Sequence, residues 1–575
     1  MALPCDDPRA AWQPAVSAGA RLLRVVPRLI QGLLLLPILA GLLGTIGPAF
    51  NLAPTSPDLA AFRDLAAWPG LPAALRLSLV TGLAATACAL ALTLLITATL
   101  QATPAFALLR RLLAPLLAMP HAAAALGLAF LIAPSGWIAR ALSPWATGWT
   151  RPPDLLILND PWGLALTCGL IAKELPFLVL MTLAALPQCD LPRRMQVAAA
   201  MGYGRISGFW LAVLPALYPQ LRLPVLAVLA YAMTNVDMAM ILGPTRPHTL
   251  SVEVTIWMAD PSLAHRGLAA AAALTQLTAT LGAMLAWLAA ERLAAALRRA
   301  ATWRGLRLTG LDAALRAVAA LAAILLAAAL LTGLAGLALW SLAGLWPFPD
   351  TVPQSLTLAA WTRAAPALSM TTATTILIAL IATASALTLT LAALQTEFLA
   401  RRPAMPVFWL YLPLLVPQIC FLPGIAHLLL SRHASGGMVS VTATHLIFVL
   451  PYAFLSLAAP FRAWDARIAT VAATLGTSPA RIFWHLRLPM LLAPVLTAAA
   501  ISLAVSIGQY LPTLLVGGGR VTTLTTEALA LASGGNRRLT AAYALLQTLL
   551  PALGFGLAIA LPRLVLARRN RRGIA

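Results

Sequence analysis

Lys173 and Glu174 stand side by side in the apolar stretch "CGLIAKELP", and Asn235 and Asp237 stand two apart in "YAMTNVDMAM". A charge set in apolar sequence is costly and faces either a polar route or a partner. For Lys173 and Glu174 both readings stand: they line a pathway, or they pair with polar groups of neighbouring helices and hold the bundle. Pro176 follows them and is expected to kink their helix. Asp237, deep in another apolar run, is a candidate to face a cationic solute. Catalysis is not indicated. There is no Ser-His-Asp, Cys-His or paired-carboxylate arrangement. His121 and His445 lack a second metal-type residue at i+3 or i+4, so they read as packing histidines. Cys5, Cys88, Cys168, Cys189 and Cys420 have no CxxC spacing and read as small core residues, with no disulfide framework or metal site.

The elements that must hold these residues are membrane helices. The 575 residues are 61% hydrophobic and only 10% charged, which points to an all-α polytopic membrane protein. About twelve runs are long enough to span: 29–50, 75–100, 112–133, 161–187, 221–243 and 267–290, then 317–343, 369–395, 405–430, 437–461, 490–515 and 540–566. Arg21, Arg24 and Arg28 precede the first run, which has no signal-peptide cleavage pattern and reads as a first membrane helix. Alternate connectors carry arginine clusters (Arg110/Arg111, Arg193/Arg194/Arg205, Arg401/Arg402, Arg462/Arg467/Arg481/Arg487), as does the tail from Arg568 to Arg572. The other connectors hold most of the acids, so both termini are predicted cytoplasmic. The same scattering sets the net charge of +22 apart from a nucleic-acid-binding face.

The chain repeats itself. "VAAAMGYGRISGFWLAVLP" (197–215) matches "VAATLGTSPARIFWHLRLP" (471–489) at a spacing of 274 residues. The register continues through Gly243/Gly517, Thr249/Thr523, Leu250/Leu524 and Glu253/Glu527. Six runs per copy is an even number, so the repeats are parallel: residues 1–300 form one half and 301–575 the other. Each matched loop, 190–215 and 464–489, follows the fourth run of its half on the Arg-rich side. Ala198, Ala199, Ala472 and Ala473 predict a smooth short helix, Gly202 and Gly476 its end, and Ser478 with Pro479 the start of a second helix. Ile482, Phe483 and Leu486 give that second helix an apolar face, and Pro215 and Pro489 mark entry to the next span.

Gly202-x12-Pro215 and Gly476-x12-Pro489, with the alanines before them, resemble the EAA loop of permease subunits of ABC-type importers. The resemblance covers nearly the whole chain as two permease halves fused in one polypeptide. Gln196 and Thr470 stand where that family usually has Glu. The fusion resembles the branch that includes thiamine and ferric-iron importers, and segments 120–137 and 241–250 are similar to a thiamine-type fused permease. The resemblance implies a bacterial inner-membrane subunit that works by alternating access within the lipid bilayer. It also implies two copies of an ATP-binding subunit seated on the loops, and a periplasmic or extracellular solute-binding protein on the opposite face. Glu253 and Glu527 then either contact that protein or a gate, or are first-turn acids favoured by the helix dipole. The chain itself is expected to be no enzyme and to hold no cofactor, ATP being bound by the partners. A Walker A loop needs a lysine, and the only lysine here is Lys173. "LASGGNRR" (531–538) is read as a glycine turn before the last helix. A secondary transporter independent of any ATPase is the alternative.

Overall fold

The computed structural model describes residues 23–52, 58–101, 103–104, 106–109, 119–262, 264–305, 307, 309–403, 405–433 and 436–572. Cys5, Arg21, Arg110, Arg111 and the first part of the 112–133 run lie outside the described residues, as do the side chains of the arginine tail from 568 onward. The first half of the chain forms α1 (Val26–Ala49), α2 (Leu71–Leu100), α3 (His121–Ile132), α4 (Leu164–Ala185), α5 (Leu191–Ala200), α6 (Leu214–Thr234), α7 (Asp237–Leu242), α8 (Leu250–Ala259) and α9 (Ala264–Trp303). The second forms α10 (Asp312–Leu342), α11 (Ala359–Ala400), α12 (Phe408–Leu415), α13 (Gln418–Ser431), α14 (Met438–Arg462), α15 (Ala466–Thr474), α16 (Leu492–Ile507), α17 (Leu511–Gly517), α18 (Leu524–Ser533) and α19 (Arg537–Arg572). One bridge, between Ala343 and Leu356, is the only extended pairing among the described residues. This is an all-α polytopic membrane protein. Ten described helical segments are long and apolar enough to cross a membrane, and two bent pairs raise the number to twelve.

Helices suit these sequences because they satisfy every backbone polar group internally, as an apolar surrounding demands. Polar side chains inside them follow the same rule. Thr45, Thr81, Thr86 and Thr97 each donate to the carbonyl four residues back, at 2.7–3.0 Å. The two sets of helices interlock. α1 packs along α13 and α10 packs along α3. Both crossings are made by glycine: a Cβ on Gly424 would collide with the Gly41 carbonyl, and one on Gly333 would meet the Gly127 backbone at 3.0 Å. Small residues let backbones approach closely where no hydrophobic effect drives association.

Three expected continuous helices are interrupted. The 405–430 run bends by 85° between α12 and α13. The reason is local: Pro417 forces Val416 out of the helical region, to ψ 117°. The 221–243 run breaks at Asn235 and Val236, so Asp237 opens a new short helix instead of lying within a long one. There the Asn235 Oδ1 accepts from the N–H groups of Met238 at 2.8 Å and Ala239 at 3.3 Å, capping α7. The 490–515 run breaks at the equivalent place, between Ile507 and Leu511. By contrast α4 runs unbroken through Pro176.

Candidate functional site

The two glycine-turn loops are close copies in backbone. After α5 the Gly202 N–H donates to the Ala199 carbonyl at 2.9 Å and the Tyr203 N–H to that of Ala198 at 3.0 Å. After α15 the Gly476 N–H donates to Ala473 at 2.9 Å and the Thr477 N–H to Ala472 at 3.0 Å. Both glycines sit at φ +79°, the left-handed conformation that closes a helix in this bonding pattern. Arg205–Gly208 and Pro479–Arg481 then restart the helix, and each passes through a π-helical turn, Phe209–Val213 and Ile482–Arg487. Pro215 opens α6 in line with what precedes it, whereas the chain after Pro489 bends by 74° into α16.

Side chains divide these loops into an inner and an outer face. Ala198 and Ala472 are buried, as are Ile206, Phe209 and Ile482. On the outside, Val197, Met201 and Trp210 are 55%, 58% and 43% exposed, and their repeat-mates Val471, Leu475 and Trp484 are 59%, 79% and 62% exposed. Six large apolar side chains at three matched positions are thus exposed in both loops. Gln196 is exposed beside the first, and Ala199 with it; Thr470 and Ala473 are half-buried at the second. The Thr470 hydroxyl turns back to the Ala466 carbonyl at 3.4 Å. Ser478 caps the second helix of its loop, with Pro479 at its first turn.

What holds each loop differs. Arg487 is buried, its guanidinium 3.9 Å and 3.8 Å from the ring centres of Phe398 and Phe461 and 4.8 Å from that of Trp464. It also donates to the Gln395 Oε1 at 3.2 Å and to the Phe461 carbonyl at 2.9 Å. Position 213, its repeat-mate, is a buried valine. The first loop is fastened by Arg205 instead, which donates to the carbonyls of Ala98 (2.9 Å) and Gln101.

The residues picked out by charge converge. Lys173, Glu174, Asn235 and Asp237 are all buried. His121 links the two pairs: its Nε2 lies 3.4 Å from the Glu174 carboxylate, and its ring packs 4.6 Å from that of Tyr231. The Tyr231 hydroxyl donates to Asp237 Oδ1 at 3.4 Å, and the Asn235 amide donates to the same oxygen at 2.7 Å. Lys173 Nζ donates to the Met119 carbonyl at 2.5 Å. His121 thus packs between Glu174 and the ring of Tyr231, and Tyr231 is a member that sequence reasoning missed. The only signal for Tyr231 was its spacing, four and six residues before Asn235 and Asp237. His445 is a packing histidine as expected: it joins Ser506 at 3.0 Å to Thr513 at 2.9 Å across the break between α16 and α17.

Glu253 and Glu527 both lie in the first turn of matched short helices, α8 and α18. Their surroundings differ. Glu253 is buried and bonded to the His248 N–H at 3.1 Å, with the His248 ring 3.0 Å away. Glu527 is half-buried, in a helix opened by a Thr523–Thr526 capping box. Gly534 and Gly535 form the turn between α18 and α19.

Paired glycine-turn loops with exposed apolar side chains stand on a bundle of membrane-length helices that interlocks through its glycine crossings. Residues 390–571 match the family model described as "Binding-protein-dependent transport system inner membrane component". The chain is 32% identical over 524 residues to the inner membrane ABC transporter permease protein YnjC of Escherichia coli (strain K12), covering 91% of this chain and 93% of that protein. It belongs to the ABC transporter permease family. Shorter matches are to the molybdenum transport system permease protein ModB of Mycobacterium bovis, 32% identical over 19% of this chain and 46% of that protein. A spermidine/putrescine transport system permease protein PotC homolog of Mycoplasma genitalium is 28% identical over 22% of this chain and 44% of its own length. No solved structure matches the chain. Family membership makes this a multi-pass inner-membrane translocation component, with ATP-binding subunits and a substrate-binding protein as partners.

Proposed function

We propose that the chain is a fused pair of permease halves, 1–300 and 301–575, which admits a small solute by alternating access. Two ATP-binding subunits dock on the loops at 190–215 and 464–489, on the cytoplasmic side where both termini also lie. Their closure on ATP moves the loops, and α6 and α16 carry that motion into the bundle. The observation that carries this reading is the matched exposed set Val197/Met201/Trp210 and Val471/Leu475/Trp484 around two glycine turns of equal φ. An apolar face on a rigid turn can receive and transmit force without doing chemistry. The buried acids, Glu174 on α4 and Asp237 at the α6–α7 break, support a cationic solute, of the thiamine kind that the resemblance to fused permeases implies.

Met201→Asp and Leu475→Asp test this directly. An aspartate pressed against a partner's apolar surface is expected to cut co-purification of the ATP-binding subunit about tenfold, the cost of desolvating an unpaired charge. Unchanged association in both variants would overturn the docking assignment. Solute uptake that persists without any ATP-binding subunit would favour the secondary transporter.

A further inference from the structure

The two loops start their second helices with different chemistry. In the second loop Ser478 is the cap, its hydroxyl accepting from the Arg481 N–H at 3.4 Å. The equivalent position in the first loop is Gly204, which has no side chain to offer. Its open N–H groups are met from elsewhere. Asp312, the first residue of α10, accepts from the Arg205 N–H through Oδ2 at 2.6 Å and from the Ile206 N–H through Oδ1 at 3.4 Å. The fit depends on glycine, because a Cβ on Gly204 would collide with the Asp312 carboxylate. The connector that leads to Asp312 is fastened at the same place: the Ser207 hydroxyl donates to the Arg307 carbonyl at 2.7 Å, and the Arg307 guanidinium lies against Gly202. Asp312 also stands in the first turn of α10, so its charge faces the positive ends of two helices.

We propose that Asp312 is a positioning residue for the first loop: a cap supplied by the second repeat, which ties the join between the repeats to the loop that meets one ATP-binding subunit. The link from cap to coupling rests on the function proposed above; the cap itself does not. It follows that the junction between the halves is part of the transmission machinery. The second helices of the two loops are thus capped by different means, one by its own serine and the other by an aspartate 107 residues away from Arg205.

The test uses the full-length chain, alone and with its ATP-binding subunit, in four forms: native, Asp312→Ala, Gly204→Ser, and both together. In the chain alone, Asp312→Ala is expected to speed amide hydrogen exchange at Arg205 and Ile206 about fivefold, the size of effect that loss of a helix cap produces. In the complex it is expected to lower solute moved per ATP hydrolysed by a similar factor while the subunit still associates. Gly204→Ser alone is expected to impair, since its Cβ strikes the carboxylate. The double variant, with a cap in the manner of Ser478, is expected to restore both exchange protection and coupling. A merely destabilised protein would not be rescued by a second substitution that is harmful by itself. Native exchange in Asp312→Ala, or no recovery in the double variant, overturns the cap. Exchange that responds as stated while no variant or native chain couples to an ATP-binding subunit overturns the function and leaves the cap standing.

Discussion

The loop at 471–489 and the loop at 197–215 share a turn, with Gly476 and Gly202 at the same φ of +79°, yet they are anchored by unrelated contacts. Arg487 pins the second from within its own repeat, wedged between Phe398 and Phe461. Asp312 and Arg307 pin the first from across the repeat boundary. The helix breaks further along show the same divergence. At 235–236 the gap is spanned by Asn235 and Asp237, and at 508–510 by the bridge from His445 to Ser506 and Thr513. The lesson is that the two copies share the turn and its exposed apolar triad, the features that the proposed docking uses. Interior supports drifted, because any contact of adequate strength can hold a loop.

The strongest way to break the comparison is Arg487→Ala. It removes a buried stack on aromatic rings and two hydrogen bonds, so the unfolding free energy of the solubilised protein is expected to fall by about 2–4 kcal/mol. Lysine should not rescue it, since a compact ammonium cannot fill the slot between two rings. The corresponding Val213→Ala should cost far less, about 1–2 kcal/mol, because it removes two methyl groups and no polar contact.

Next come Gly202→Val and Gly476→Val. A β-branched residue held in the left-handed region costs about 1–2 kcal/mol per site, and equal losses of uptake are expected if the two turns do equal work. Asn, which tolerates that region, should be milder at both positions. Wild-type uptake in Gly476→Val would remove the rigid turn from the mechanism.

Asp237→Asn sharpens the second half of the comparison. It keeps the shape but removes the charge, and is expected to lower uptake of a cationic solute about fivefold, near 1 kcal/mol of lost interaction. Association with the ATP-binding subunit should not change, which separates pathway from docking.

The smallest effects are local. Ser478→Ala should cost at most about 0.5 kcal/mol, the low end for a cap, because its bond is long at 3.4 Å. Asp465 caps α15 through the Arg467 N–H, and that bond holds its carboxyl below the ordinary aspartate range. A carboxyl depressed on folding adds stability above its unfolded value and loses it as pH falls through its folded one. Exchange at the Arg467 amide should therefore quicken below roughly pH 4, where an ordinary aspartate takes up its proton.

Much of this protein is written in local sequence. Span length follows from apolar run length, the repeat from the spacing of Gly202 and Gly476, and the helix ends from residues whose backbone preference is intrinsic. The glycine turns were legible because a positive φ favours glycine whatever surrounds it. The exposed triads were half-legible: Trp210 and Trp484 aligned in sequence, but burial of Ile482 against exposure of Trp484 depends on what packs beneath them. Three features required the folded chain. Asp312 looks like the first-turn acid of its own helix, and only the approach of α10 to the first loop makes it a cap. His121 meets Glu174 and Tyr231 because three helices converge. The break that releases Asp237 from a long helix is invisible in an apolar run, since Asn235 can sit within a helix or end one. In each case the deciding partner lies far along the chain or depends on neighbours in space. Propensity and pattern set the elements by themselves, whereas a polar group's role was settled only once tertiary packing chose its partner.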